Sequence, residues 1–250
     1  MLDQAELQRA ARQYGTDKAG DYLANYVREF GHLADKPLAL LELGVREGAS
    51  LLLWRDMFPA AQVAGLDIYP MTVHDDSGRV RAYTGLQQDQ ATLDRIASEV
   101  APDGFDVIID DASHLGRYTA ASFWHLFPNH LKPGGVYVIE DWGTGYWPKW
   151  PDGHAYSGPY PPPGAALAAP TVAPSSPSRV ERLRSRLRRS APRDRFPSHD
   201  FGMVGFVKTL VDAVAVDVRG PVPEGTRRVS GSEIASVEFM AAQVFVRKAT

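Results

Sequence analysis

An α/β fold, a doubly wound parallel sheet closed by a C-terminal antiparallel strand pair, is predicted by three features of the 250-residue sequence. Short apolar runs alternate with stretches of helical spacing, the pattern of buried parallel strands and their crossover helices. Turn signals separate the runs, notably a glycine-bearing loop at 44–48 and LKPGG at 131–135. Hydrophobic residues make up 44% and charged residues 23%, an ordinary ratio for a chain that buries one large core.

The elements follow in order. Leu38 to Leu43 is the first strand, and a helix runs from Ser50 to Phe58. Val63 to Ile68 is the second strand, and Val80 to Tyr83 a weaker third. Gln90 to Val100 has helical spacing and leads into the fourth strand, Phe105 to Asp110. Thr119 to Leu131 reads as helix, LKPGG as a turn, and Val136 to Ile139 as the fifth strand. Late in the chain FGMVGFVKTLVDAVAVDVR reads as a helix running into a strand, and VEFMAAQVFVRK as the last strand. Those two strands form the expected antiparallel pair.

Three regions follow from this reading: an N-terminal helical lid at 1–36, a ligand-binding domain at 37–142 and 200–250, and a flexible insertion at 143–199. Trp142 at the boundary and Tyr146, Trp147, Trp150, Tyr156 and Tyr160 within the insertion lie among glycines and prolines. It continues through PPPGAALAAPTVAPSSPS, too poor in apolar residues to order itself. Eight arginines then fall between Arg179 and Arg195, a run read first as a solvated or tethering segment.

Charge and composition exclude whole classes. With 27 basic and 30 acidic residues, the balance gives no reason to expect a nucleic-acid partner. There is no cysteine, which excludes disulfides, thiolate metal sites and a thiol nucleophile. The opening MLDQAELQRAARQYGTDK is polar and no window reaches the length of a membrane span, so a cytoplasmic location is expected.

Two constellations carry chemistry. In LELGVREGAS, Gly44 and Gly48 let the backbone approach a ligand at a helix N-terminus, and Asp67 at the end of the second strand can accept both hydroxyls of a ribose. Either a dinucleotide or another adenosine cofactor fits those residues. The dinucleotide pattern G-x-G-x-x-G is missing, since position 46 is Arg. Glu42, which opens the loop, would repel a pyrophosphate and suit a cationic or amino-bearing ligand. The second constellation is acidic: IIDDASH ends the fourth strand with Asp110, Asp111 and His114, and VIEDW ends the fifth with Glu140 and Asp141. Neighbouring strands lie about 4.8 Å apart, so these carboxylates converge at one edge. A cation is needed to neutralise them, and oxygen ligands favour Mg²⁺ or Mn²⁺. His114, three residues after Asp111, can face the same pocket as a neutral base.

The pattern E-x-G-x-x-x-G resembles motif I of class I S-adenosylmethionine-dependent methyltransferases. YGTDK at 14–18, LELGVREGASLLLW, GLDIY, IIDDASH and LKPGGVYVIEDW together resemble the metal-dependent sugar O-methyltransferases, a group that includes mycinamicin and rhamnosyl O-methyltransferases. The likeness spans roughly residues 14–150 and implies a Rossmann-like fold. It implies that Asp111, Glu140 and Asp141 hold Mg²⁺ and that His114 is the base, with Asp111 beside it. Asp67 would take the ribose of S-adenosylmethionine, and Glu42 and Gly44 would lie near its methionine end. GLQQD resembles a GDQxD pattern with Leu86 in place of Asp, which implies cofactor contacts for Gln87 and Asp89. Thr16, Asp17 and Lys18 would belong to a lid over the cofactor. Larger members carry an N-terminal auxiliary domain for which 250 residues leave no room, so their assembly contacts do not transfer.

The expected reaction is Mg²⁺-dependent methylation of a sugar hydroxyl on a glycosylated natural product or a polysaccharide, methylmannose-type glycans included. Metal coordination acidifies the hydroxyl, His114 takes its proton, and oxygen attacks the sulfonium methyl in line. Trp142, Tyr146 and Trp147 are expected to stack on the sugar. The partners expected are a sugar-containing small molecule or oligosaccharide and a second copy in a homodimer. Three alternatives remain open: a cephalosporin-hydroxylase-like enzyme needing nicotinamide or iron, a phenolic O-methyltransferase, and a non-catalytic S-adenosylmethionine-binding module.

Overall fold

The computed structural model describes residues 4–156, 199–215 and 233–250. The chain starts with two amphipathic helices, α1 (Gln4–Tyr14) and α2 (Asp21–Phe30), before β1 (Ala39–Leu43) enters the sheet. Then come α3 (Ala49–Met57), β2 (Gln62–Asp67), β3 (Val80–Thr84), α4 (Gln90–Val100) and β4 (Phe105–Asp110). They are followed by α5 (Gly116–His130), β5 (Leu131–Glu140), a 3₁₀ turn at Trp142–Tyr146 and α6 (Pro151–Ala155). The described chain resumes with α7 (Gly202–Ala215) and ends in β6 (Ile234–Phe239) and β7 (Gln243–Lys248).

The strands form one seven-stranded sheet in the order β3-β2-β1-β4-β5-β7-β6. β1 to β5 are parallel, whereas β7 runs antiparallel between β5 and β6. This is the doubly wound sheet with an antiparallel end that the sequence predicts, but the pair is made differently. What reads as one strand, VEFMAAQVFVRK, is most of a hairpin: it bends at Met240, whose N–H donates to the Gln243 carbonyl at 2.8 Å. The bend holds no Gly, Pro, Asn or Asp, so the usual turn signal is absent. The strand expected at the end of FGMVGFVKTLVDAVAVDVR lies outside the described residues. LKPGG is likewise part of β5, where Gly134 adopts φ +74° beside a register shift opposite Phe105–Val107. The expected flexible insertion begins in ordered chain, since the 3₁₀ turn and α6 pack on α7.

Side-chain alternation along the strands decides what reaches the site. Leu41, Leu43, Ile108 and Ile139 face α4, α5 and α7, where Leu93, Phe123, Leu126 and Val207 cover them. Leu40, Val107, Ile109 and Val138 face α1, α2 and α3, against Leu23, Tyr26, Phe30 and Trp54. Glu42 and Glu140 therefore point into the α1–α3 layer, and Asp110 into the α4–α5 layer. Three acidic groups are buried on opposite sides of one sheet, and each needs partners there.

Candidate active site

The direction in which strands are added reverses between β1 and β4, which places a ligand crevice at their carboxyl ends. Gly44 sits in that gap at φ +82°. Its N–H donates to the Leu66 carbonyl of β2 at 2.8 Å, while Asp111 N–H donates to Leu43 at 2.9 Å. A Cβ on Gly44 would collide with the Asp111 carbonyl oxygen and the Ala112 Cα. Gly44→Ala is therefore expected to cost about 1–3 kcal/mol in urea unfolding, as overpacking does, and to weaken ligand binding by displacing the 110–113 turn. An alanine variant as stable as the parent would show that the gap yields freely.

Asp67 shapes the glycine loop. Its Oδ2 accepts the N–H groups of Val45 at 3.0 Å and Arg46 at 2.7 Å, and Oδ1 accepts Tyr69 N–H at 3.0 Å. A carboxylate offers about four acceptor positions, so one is left for a ligand hydroxyl. Asp67 also lines a cavity of about 850 Å³, together with Gly44, Ile68, Tyr69, Leu86 and Gln87. Ile68, Tyr69 and Leu86 are exposed there, an apolar wall suited to one face of a flat ring. Gly48 caps α3 at φ +85° behind this wall, with Val73 against it.

Gln87 is committed to the protein. Its amide nitrogen donates to Asp110 Oδ1 at 3.1 Å and to Ser122 Oγ at 3.3 Å, while its oxygen accepts Ser113 N–H at 3.1 Å. It thereby ties the β4–α5 turn to the cavity wall. Asp110 also accepts from Ser122 and from Tyr137, and burial raises its pKa against those bonds. Asp89 is exposed at the start of α4, where it accepts the Thr92 hydroxyl at 2.6 Å. The cavity wall there consists of Gly85 to Gln88.

Lys18 is the largest departure from expectation. It is 3% exposed. Its Nζ lies 3.1 Å from Glu42 Oε1, 3.0 Å from Asp111 Oδ2 and 2.6 Å from Glu140 Oε2. Rather than covering a cofactor from a lid, it sits beneath the acidic cluster as its internal counter-charge. Burial alone would strip its proton, but Glu140, Glu42 and Asp111 outweigh burial and hold its pKa well above the ordinary value. Glu140 is pushed up by burial yet kept below the usual range by Lys18 and the hydroxyl of Tyr26. Burial keeps Glu42 raised although Ser50 and Trp54 donate to it at 2.6 and 2.8 Å. Thr16, whose hydroxyl accepts Lys18 N–H at 3.3 Å, and Asp17, 3.5 Å from Arg46, fasten this N-terminal loop.

Above Lys18 lie Asp111, His114 and Asp141. His114 Nε2 is 3.9 Å from Asp111 Oδ1 and 3.9 Å from Asp141 Oδ2, and one ligand atom from each of the three fits within 4.8 Å. Both His114 and Asp141 adopt φ +53°, a left-handed conformation that side chains rarely take and that gathers at functional sites. Burial and the neighbouring Glu140 push the Asp111 carboxyl well above its usual pKa, Lys18 opposing them. Three carboxylates share one ammonium here, and Asp141 adds a fourth beside His114. The donor set is therefore one that a divalent cation fits.

The aromatic segment is only partly where it was expected. Trp142 donates its indole N–H to the Met240 carbonyl at 2.9 Å and packs edge-on against Phe239. Tyr146 meets the His199 ring, and Trp147 is exposed with Lys149 over its ring. Trp150 is the ring set edge-on against His114, with centroids 5.4 Å apart. Tyr22, which donates to Asp141, and Tyr26 were also missed. Their four-residue spacing from one another was a signal that a helix could carry both to one face.

No protein-family model matches the chain. Mycinamicin VI 2''-O-methyltransferase of Micromonospora griseorubida is 40% identical over 153 residues, 57% of this chain and 37% of that protein. L-olivosyl-oleandolide 3-O-methyltransferase of Streptomyces antibioticus is 38% identical over 159 residues, 58% of this chain and 39% of that protein. The chain thus spans under half the length of these relatives. The solved MycE methyltransferase of the mycinamycin biosynthetic pathway, in complex with Mg and SAH, aligns over 97% of this chain and 54% of its own, with a TM-score of 0.68 and 29% identity. The fold is that of a class I methyltransferase. In sequence, the likeness is to sugar O-methyltransferases of macrolide and tetracenomycin pathways. Within this methyltransferase fold the 850 Å³ cavity and the Asp111–His114–Asp141 group stand on either side of the turn after β4. No helix among the described residues is long and apolar enough to cross a membrane.

Proposed function

We propose that the chain transfers a methyl group from S-adenosylmethionine to a sugar hydroxyl of a glycosylated natural product or polysaccharide, in a Mg²⁺-dependent reaction. The observation that carries this reading is the placement of a strained His114, flanked by Asp111 and Asp141, beside a cavity built on Gly44 and Asp67. The relatives named as sugar O-methyltransferases support it, as does the Mg and SAH complex of MycE.

Asp67 would accept one ribose hydroxyl, and the apolar wall of Ile68, Tyr69 and Leu86 would take the adenine. Asp111 and Asp141, with Glu140 behind them, would hold the metal. Mg²⁺ bound there supplies charge that acidifies and orients the acceptor hydroxyl. Lys18 keeps Glu140 ionised, works against the burial that raises Glu42 and Asp111, and holds the three carboxylates in place. His114 Nε2 takes the hydroxyl proton, and Trp150 fixes the imidazole plane while shielding it from water. This reading goes with a cytoplasmic protein that has no nucleic-acid partner, and with a homodimer, whose mass sedimentation of the pure chain tests.

Calorimetric titration with S-adenosylmethionine, with and without Mg²⁺, tests the cofactor. Micromolar binding is expected, and its absence in both conditions overturns the proposal. In the same assay Asp67→Ala is expected to weaken binding by about 10- to 100-fold, the equivalent of one or two charge-assisted hydrogen bonds. Unchanged affinity would remove Asp67 from the ribose.

A further inference from the structure

A second cluster of ligand-type side chains lies in the α4–α5 layer. Asp94 on α4 faces His125 and His130 on α5, with its Oδ1 at 2.7 Å from His125 Nε2 and 2.6 Å from His130 Nε2. Like the group at the reaction site, the three can bring one ligand atom each within 4.8 Å of the others. The reaction assigned above uses none of them. His125 stands nine residues beyond Gly116, about 14 Å along the helix at its usual rise.

Their convergence does not come from helix periodicity. Five residues turn a regular helix through about 500°, which would aim positions 125 and 130 about 140° apart. Pro128 interrupts α5 between them and the helix ends at His130. The carbonyls of Phe127, Pro128 and Leu131 are taken up by Lys248 Nζ at 2.9–3.0 Å. The distorted end thus swings both imidazoles onto one carboxylate. Their ring centroids are 5.4 Å apart and inclined by 57°, the splay of two ligands around a point rather than a stack. Both histidine side chains are mostly covered, at 12% and 21% exposed, while Asp94 at 53% leaves an opening to water.

We propose that Asp94, His125 and His130 form a binding site for a zinc-type divalent cation that clips α4 to α5, separate from the reaction site. Two imidazoles and one carboxylate, without thiolate, suit Zn²⁺, Ni²⁺ or Cu²⁺ rather than Mg²⁺. On binding, each imidazole releases to solvent the Nε2 proton it shares with Asp94, carries its remaining proton on Nδ1 and turns Nε2 to the ion. Three protein ligands leave the fourth position to water.

The test is calorimetric titration of the full chain with Zn²⁺ on the parent, His130→Ala and Asp94→Asn, any zinc taken up at Asp111, His114 and Asp141 being common to all three. The parent is expected to bind one equivalent of Zn²⁺ that each variant binds at least about 10-fold more weakly, the lower end of the loss seen even for partners outside the ligand set. Zinc should also raise the melting temperature of the parent and not of the variants, while binding of S-adenosylmethionine is the same in all three. His125→Gln replaces any variant that fails to fold. Identical zinc isotherms in parent and variants, or no zinc uptake by the parent, would reduce the cluster to a hydrogen-bonded clip and overturn the site.

Discussion

His114→Ala is expected to slow methyl transfer by about 10²- to 10⁴-fold, the usual contribution of a placed general base, with affinity for S-adenosylmethionine unchanged. The imidazole lies 3.9 Å from a carboxylate on either side and edge-on to Trp150, off the wall of the cofactor cavity. Its loss should therefore touch the chemical step and not the binding of the methyl donor. Single-turnover rates read this directly, and a Mg²⁺ titration of the same variant separates two roles. Metal affinity that stays constant while turnover collapses marks His114 as the base. Metal affinity that falls in parallel makes it a ligand, and near-parental activity removes it from the chemistry.

The second large effect concerns stability. Lys18→Met keeps the length of the side chain and deletes the ammonium, leaving Glu42, Glu140 and Asp111 buried or nearly so without a counter-charge. Breaking one partner out of a buried ion pair costs about 3–5 kcal/mol, and Lys18→Met should reach that range in urea unfolding. Adding Glu140→Gln to Lys18→Met should restore part of the loss, because one of the stranded charges is then gone. A cost below about 1 kcal/mol, the size of an exposed pair, would mean that the carboxylates simply take up protons or water and that Lys18 is dispensable. Urea unfolding repeated with Mg²⁺ adds a check: a bound cation should protect Lys18→Met more than it protects the parent.

Much of this was legible in the residues, for reasons that differ from element to element. The parallel strands are continuous apolar runs because both faces of the sheet are covered, so LALLEL and FDVIID announce themselves. Asp111, His114 and Asp141 could be grouped because parallel neighbours carry their carboxyl ends to one edge. The hairpin in VEFMAAQVFVRK was not legible, since an alanine-rich bend carries no turn chemistry. The buried position of Lys18, expected in a lid, and the place of Trp150 beside His114 were not legible for another reason. Each residue reaches the site from a loop whose path is set by packing, and nothing local in YGTDK or WPKWP says which way a side chain will face. Asp67, Gln87 and Asp89 show an intermediate case. The sequence places all three near the crevice, but hydrogen bonds commit Asp67 partly and the amide of Gln87 to loop building while Gln87 still lines the cavity, and Asp89 stays at the head of α4.

The left-handed backbone at His114 and Asp141 has a consequence for engineering. A side chain costs about 1–2 kcal/mol in that conformation relative to glycine, so the fold carries a stability handicap at the two positions that flank the reacting group. His114→Gly should accordingly be more stable than His114→Ala, with methyl transfer slowed to a similar degree in both. A selection for thermal stability alone would drift toward glycine there, and activity would fall as melting temperature rose. Library designs that aim to harden this scaffold should hold positions 114 and 141 fixed and seek their gains elsewhere.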